Sequence, residues 1–153
     1  MSEAKQVTPD HRHQAIDLFN LVWTFLNKPD RTIAENDTML HAAHASRYHW
    51  GEVGTEVNLA RGEWQIARVY AILGRSEPAL YHAGRCLAIC QENNIGDWDL
   101  AFAYEAVTRA WAVAGDASEY ARYDKLAREA AEQIVEAEDK KMVLADLANI
   151  KVK

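Results

Sequence analysis

The sequence is poor in the residues that build tight turns and cross-links. Its 153 residues include seven glycines, three prolines and two cysteines. A fold of many short strands needs more turn residues, and a small disulfide-stabilised domain needs more cysteines. Cys86 and Cys90 lie four residues apart in one apolar stripe, which favours a place in the core over a redox pair or half of a metal site.

Basic residues and long apolar runs are also scarce. Lys and Arg total 17 against 23 Asp and Glu, so the net charge is −6. Binding to a nucleic-acid backbone needs a basic surface, which this balance opposes. The longest apolar stretch, residues 18–26, is too short to cross a bilayer, and the N-terminus lacks the layout of a signal peptide. We therefore expect no nucleic-acid partner, no membrane partner and a cytoplasmic location.

Apolar residues recur at helical spacing along the chain, and no segment shows the two-residue period of a strand. The length suits a single domain spanning 1–153. Capping residues, prolines and glycines predict about seven helices, over 8–28, 32–50, 55–74, 76–94, 97–115, 116–136 and 139–150. The predicted cap of the first helix is Thr8, and Thr32 with Glu35 forms a predicted capping box for the second. Because the connections are short, neighbouring helices should run antiparallel.

Two stretches that end in glycine match each other at an offset of 41 residues, 66–74 and 107–115. Arg68 corresponds to Arg109, and the aromatic Tyr70 corresponds to Trp111. The match indicates that the third and fifth helices are equivalent parts of a repeated helical hairpin.

The segment 60–88 resembles a tetratricopeptide repeat through five residues at characteristic places: Ala67, Tyr70, Gly74, Ala79 and Ala83. The segment from Ala101 matches less well because Thr108 replaces the small residue, and the period exceeds the family's usual repeat of about 34 residues. The resemblance implies an all-α fold of stacked hairpins in a right-handed superhelix with a concave groove.

That resemblance also implies which residues line the groove. The matching faces of the third and fifth helices carry Arg61, Trp64, Arg68, Phe102, Glu105 and Arg109. Arginine holds carboxylates or phosphates with two hydrogen bonds, and aromatic rings are frequent anchors at interfaces. This set predicts a protein-interaction scaffold that binds a peptide or protein segment, with an acidic or C-terminal peptide segment as the natural partner. The other interpretation is that the arginines pair with local acids on a solvated surface.

The second helix offers an alternative site. One of its faces carries Asp37, His41, His44 and Glu52, and two histidines one turn apart can bind a zinc-class ion. The alternative function is therefore a metal- or small-molecule-binding protein, an enzyme included. The simpler interpretation is a polar face hydrogen-bonded to its neighbours. The H-E-x-x-H motif, phosphate-binding loops and nucleophile motifs are all absent, which favours a non-enzymatic role without a cofactor.

The C-terminal helix is strongly apolar, through Met142, Val143, Leu144, Leu147 and Ile150. A stack of hairpins needs a helix that covers its last apolar face, so a capping role is favoured. The alternative is a homodimer contact shared with the sixth helix. A monomer and a homodimer both stay open at this stage.

Overall fold

The computed structural model describes residues 10–153, and every regular element in that range is a helix. The helices are α1 (His11–Leu26), α2 (Ile33–Val53), α3 (Glu56–Ile72), α4 (Ser76–Glu92), α5 (Asp97–Ala114), α6 (Ala117–Glu132) and α7 (Ala137–Ala148). The prediction of an all-helical chain with about seven helices is confirmed for this range. None of these helices is both long and apolar enough to cross a membrane.

Side-chain caps fix where several helices begin. The hydroxyl of Thr32 accepts a hydrogen bond from the Glu35 amide at 3.1 Å, and the Glu35 carboxylate accepts one from the Thr32 amide at 3.1 Å. The predicted capping box of α2 is therefore confirmed. Asp10 caps α1 by accepting from the His13 amide, whereas Thr8, the predicted cap, lies outside the described residues.

Two helices end within two residues of the predicted glycines, α3 at Ile72 before Gly74 and α5 at Ala114 before Gly115. At both glycines the backbone takes the left-handed conformation, with φ of 75° and 76°. Glycine suits these positions because it has no Cβ to clash. The end of α6 differs from the prediction of residue 136. The helix stops at Glu132, and Ile134, two residues further on, is buried in the core. In α2 the helix continues past Trp50 to Val53.

The helices pack in sequential order. Consecutive helices form the hairpins α1–α2, α3–α4 and α5–α6, and the odd-numbered helices also contact one another in the order α1, α3, α5 and α7. Each even-numbered helix lies against the two odd-numbered helices that flank it in sequence. The odd-numbered helices therefore share one face of the molecule.

Small residues allow the helices of a hairpin to approach closely. Ala67 of α3 and Ala83 of α4 belong to one buried cluster, and Ala79 of α4 packs with Ala110 of α5 in another. Cys86 and Cys90 are both buried as free thiols in a third cluster. The predicted place of the cysteines in the core is confirmed.

The apolar residues of α7 are covered by the chain itself. Val143, Leu147 and Ile150 are buried in one cluster with Ala127 and Ala131 of α6. The face that the sequence left open between a cap and a dimer contact therefore packs within the molecule. Met142 differs, because 57 % of its surface is exposed.

Candidate binding pocket

A pocket of about 300 Å³ opens on the face shared by the odd-numbered helices. All of its lining residues except Cys86 of α4 come from α1, α3, α5 and α7. The lining residues are Phe19, Trp23, Ala60, Arg61, Trp64, Cys86, Trp98, Asp99, Phe102, Met142 and Asp146. The lining is mainly apolar, and three of its side chains are tryptophans.

Four aromatic side chains of the pocket wall contact one another in a row. The ring centroids of Trp23 and Trp64 lie 5.7 Å apart with an interplanar angle of 32°, and those of Trp64 and Phe102 lie 5.8 Å apart at 79°. Trp98 meets Phe102 edge to face at 6.2 Å. Such contacts stabilise ring orientation, so this part of the wall is held in place before any ligand binds.

Arg61 is already paired with a carboxylate of its own chain. Its Nε and Nη2 donate to the two carboxylate oxygens of Asp99 at 2.9 and 3.1 Å, which is a bidentate ion pair. The guanidinium also lies over the ring of Trp98, 4.3 Å from the centroid. These contacts fix Arg61 as part of the pocket wall.

Glu105 forms the centre of a second ion-pair network. Its side chain is fully buried, at 0 % exposure. Arg68 Nη1 donates to its Oε1 at 3.0 Å, and Arg109 Nε donates to the same oxygen at 2.8 Å. Arg109 Nη2 also lies 2.7 Å from this oxygen as an ion-pair contact. Trp64 Nε1 donates to Oε2 at 3.4 Å. The buried charge thus has two guanidinium partners and links the arginines to the pocket wall.

The C-terminal helix is tied to this network through Asp146. Arg68 Nη2 donates to Asp146 Oδ2 at 3.3 Å, and Arg109 Nη2 donates to the main-chain oxygen of Asp146, also at 3.3 Å. Residues from α3, α5 and α7 therefore share one polar network beside the aromatic pocket.

The structure brings the six residues predicted for the groove into one contiguous group: Arg61, Trp64, Arg68, Phe102, Glu105 and Arg109. Each of the three arginines, however, has a carboxylate partner within the chain. The alternative interpretation, that the arginines pair with local acids, agrees with the contacts of Arg68 and Arg109 with Glu105. It places those pairs on a solvated surface, however, whereas Glu105 is buried.

Sequence reasoning missed eight of the residues that line the pocket: Phe19, Trp23, Ala60, Cys86, Trp98, Asp99, Met142 and Asp146. No local pattern links Trp23 and Trp98 to this site, because they lie far apart in the sequence. Among the five tryptophans of the chain, three meet here, and a concentration of tryptophan near an arginine is typical of binding surfaces.

His44 of α2 and His82 of α4 take part in a different network. His44 Nε2 lies 2.9 Å from the hydroxyl of Tyr70, and His82 Nδ1 lies 2.6 Å from Glu63 Oε2. Arg47 Nε donates to the other oxygen of Glu63 at 3.2 Å. Burial, helped by the nearby charge of His82, lowers the pKa of His44 below its ordinary value. For Glu63, burial raises the pKa, but the contacts with His82 and Arg47 outweigh it, and the net pKa is lowered.

The proposed metal ligands do not converge. Asp37, His41 and Glu52 are exposed, whereas His44 is turned toward Tyr70. Within residues 10–153, no group of three or more His, Cys, Asp or Glu side chains is arranged to hold a metal ion. The metal interpretation therefore finds no ligand set in this range.

Comparison with protein-family models, with curated proteins and with solved structures finds no match to this chain. The resemblance to tetratricopeptide repeats therefore stays a prediction from the sequence. The role of the pocket has to be inferred from the chemistry of its own residues.

Proposed function

We propose that this chain is a protein-interaction module of tetratricopeptide-like helical hairpins, and that its aromatic pocket receives an apolar side chain of a partner segment. The observation that carries the proposal is the pocket of about 300 Å³ walled by Trp23, Trp64 and Trp98. Desolvated aromatic pockets of this kind supply much of the binding energy at interfaces.

The polar groups of the pocket support binding over catalysis. Arg61 and Asp99 satisfy each other, and Asp146 is engaged by Arg68. The thiol of Cys86 is a poor nucleophile, because its hydrogen bond with Cys90 and its burial raise its pKa well above the ordinary value. An acid, base or nucleophile poised toward the pocket would be expected of an enzyme.

The ion pairs have a second consequence for binding. They link α3 to α5 and to α7 around the pocket, so the walls are held together by charge-assisted hydrogen bonds. A preformed pocket costs little conformational entropy when a partner binds. The network therefore supports a role for the arginines in preorganisation.

This proposal differs from the acidic partner that the sequence predicts. An acidic segment would have to displace Asp99 from Arg61, or Glu105 and Asp146 from Arg68 and Arg109. Breaking a buried ion pair costs free energy, which would reduce the affinity for an acidic segment. An apolar anchor binds without breaking these pairs.

The test is a screen of a displayed random-peptide library against three purified proteins. Met142→Lys places a positive charge at the mouth of the pocket, at a residue exposed enough to accept it. Ile33→Lys makes the same kind of change at an exposed residue of α2 that does not line the pocket. We expect peptides selected by the wild type to bind Met142→Lys at least ~10-fold more weakly, which is about 1.4 kcal/mol.

Ile33→Lys should bind those peptides as the wild type does, and all three proteins should have similar unfolding midpoints. Equal binding by Met142→Lys and the wild type would show that the selected peptides bind elsewhere. Failure of the wild type to enrich any peptide would also count against the proposal.

A further inference from the structure

The size and walls of the pocket restrict the shape of its ligand. A volume of about 300 Å³ lies at the small end of ligand pockets, which suits one large side chain. Trp23 and Trp64 present rings tilted by 32°, with Phe102 edge-on to Trp64. A flat ring gains stacking and edge contacts in such surroundings, which an aliphatic group does not.

The interior of the pocket does not suit a charged group. Both carboxylate oxygens of Asp99 accept hydrogen bonds from Arg61, so neither residue has its full charge left for a ligand. The remaining walls are apolar, apart from Asp146. A charge buried there would lose its hydration without gaining an adequate partner.

One carboxylate oxygen at the mouth of the pocket, by contrast, is left for a ligand. Asp99 is paired with Arg61, and Asp146 shares the guanidinium of Arg68 with Glu105. The side chain of Asp146 is 27 % exposed, and its hydrogen bond to Arg68 uses Oδ2 alone. The chain as a whole carries a net charge of −6. A positive group near Asp146 Oδ1 would be attracted, and a negative group would be repelled.

From these observations we infer that the pocket receives an uncharged aromatic side chain, and that the partner segment carries positive charge beside that anchor. The inference rests on the binding role proposed above and specifies the chemistry of the partner. The aromatic group fills the pocket, and the cation lies at the mouth against Asp146.

Three small indole compounds that differ in charge test this directly: tryptamine, which is cationic, neutral indole, and anionic indole-3-propionate. Binding is followed through the NMR signals of the tryptophan indole N–H groups, assigned by single Trp→Phe substitutions. We expect tryptamine to bind most tightly and indole-3-propionate most weakly, with a ratio of roughly three- to tenfold at low salt. The ratio should shrink at ~0.5 M salt because screening weakens exposed charges.

Two matched variants locate the origin of the charge preference. Asp146→Asn should bring the ratio between cation and anion close to one, whereas Asp37→Asn makes the same change on the exposed face of α2 and should leave the ratio unaltered. An anion that binds as tightly as the cation, or a ratio unaffected by Asp146→Asn, would overturn the inference while leaving the pocket as a binding site. If none of the three compounds perturbs the signals of the pocket tryptophans, both the inference and the proposed function fail.

Discussion

Glu63 and Glu105 are two buried carboxylates that the fold neutralises in different ways. Glu105 of α5 is held by Arg68 and Arg109, which stay charged at every pH at which proteins fold. Glu63 of α3 is held by one arginine, Arg47, and by His82, whose contact is an ion pair only while the imidazole is protonated. The first network is therefore built from permanent cations, and the second depends in part on pH.

The two networks also join different sets of helices. Glu105 contacts Trp64 and shares its arginines with α7, so it supports the wall of the aromatic pocket. Glu63 joins α3 to α2 and α4 through Arg47 and His82. The comparison indicates that the pocket wall is supported by the network that is less sensitive to pH.

The sharpest test of the comparison is Glu105→Gln, for which we expect the largest effect. The substitution leaves Arg68 and Arg109 close together without their shared counter-charge, at a fully buried position. Removing one partner of a buried ion pair typically costs about 3–5 kcal/mol. Urea unfolding at neutral pH measures the free energy of unfolding. Glu129→Gln, at an exposed position of α6, is the matched control and should be close to neutral.

Glu63→Gln should have a smaller effect, on the order of 1–3 kcal/mol. The amide oxygen of glutamine still accepts a hydrogen bond from Arg47, and His82 can lose its proton and remain as a neutral imidazole. The measurement is the same urea unfolding, made on both variants in one buffer. If Glu63→Gln costs as much as Glu105→Gln, then the titratable partner gives no relief, and the contrast between the networks is wrong.

Local signals explain how much of this fold the sequence predicts. The capping box of Thr32 with Glu35, and the glycines at positions 74 and 115, act through contacts within a few residues, so their patterns are visible without tertiary structure. The end of α6 differs from the prediction because it depends on tertiary packing, through the burial of Ile134.

The pocket was predictable only where the two repeated helices form it. Trp64 and Phe102 lie on the matched faces of α3 and α5, and the structure brings them together. Trp23 and Met142 belong to α1 and α7, which the repeat match does not cover. The pairing of Arg61 with Asp99 joins residues 38 positions apart, and no periodicity predicts which acid an arginine will contact.

The smallest expected effect concerns the pH dependence of stability near His44. Burial lowers the pKa of His44 in the folded chain below its ordinary value of 6.5. As the pH falls through that value, the unfolded chain therefore binds a proton that the folded chain resists, and the folded state loses stability. The lowered pKa of Glu63 acts in the same direction but only at more acidic pH, below its ordinary value of 4.5. The interval from pH ~7.5 to ~5.5 thus isolates histidine from carboxylate titration.

Over this interval we expect the wild type to lose more unfolding free energy than His44→Gln, whose amide can still hydrogen-bond Tyr70 but cannot titrate. The difference should be modest because His44 is only partly buried. His41→Gln, at an exposed position of the same helix, should change the pH dependence only slightly, because the charge of His41 is a minor influence on the pKa of His44. Urea unfolding at both pH values measures all three proteins. Identical losses in the wild type and His44→Gln would show that His44 does not make the folded state sensitive to acid. The pH contrast between the two networks would then not hold for His44.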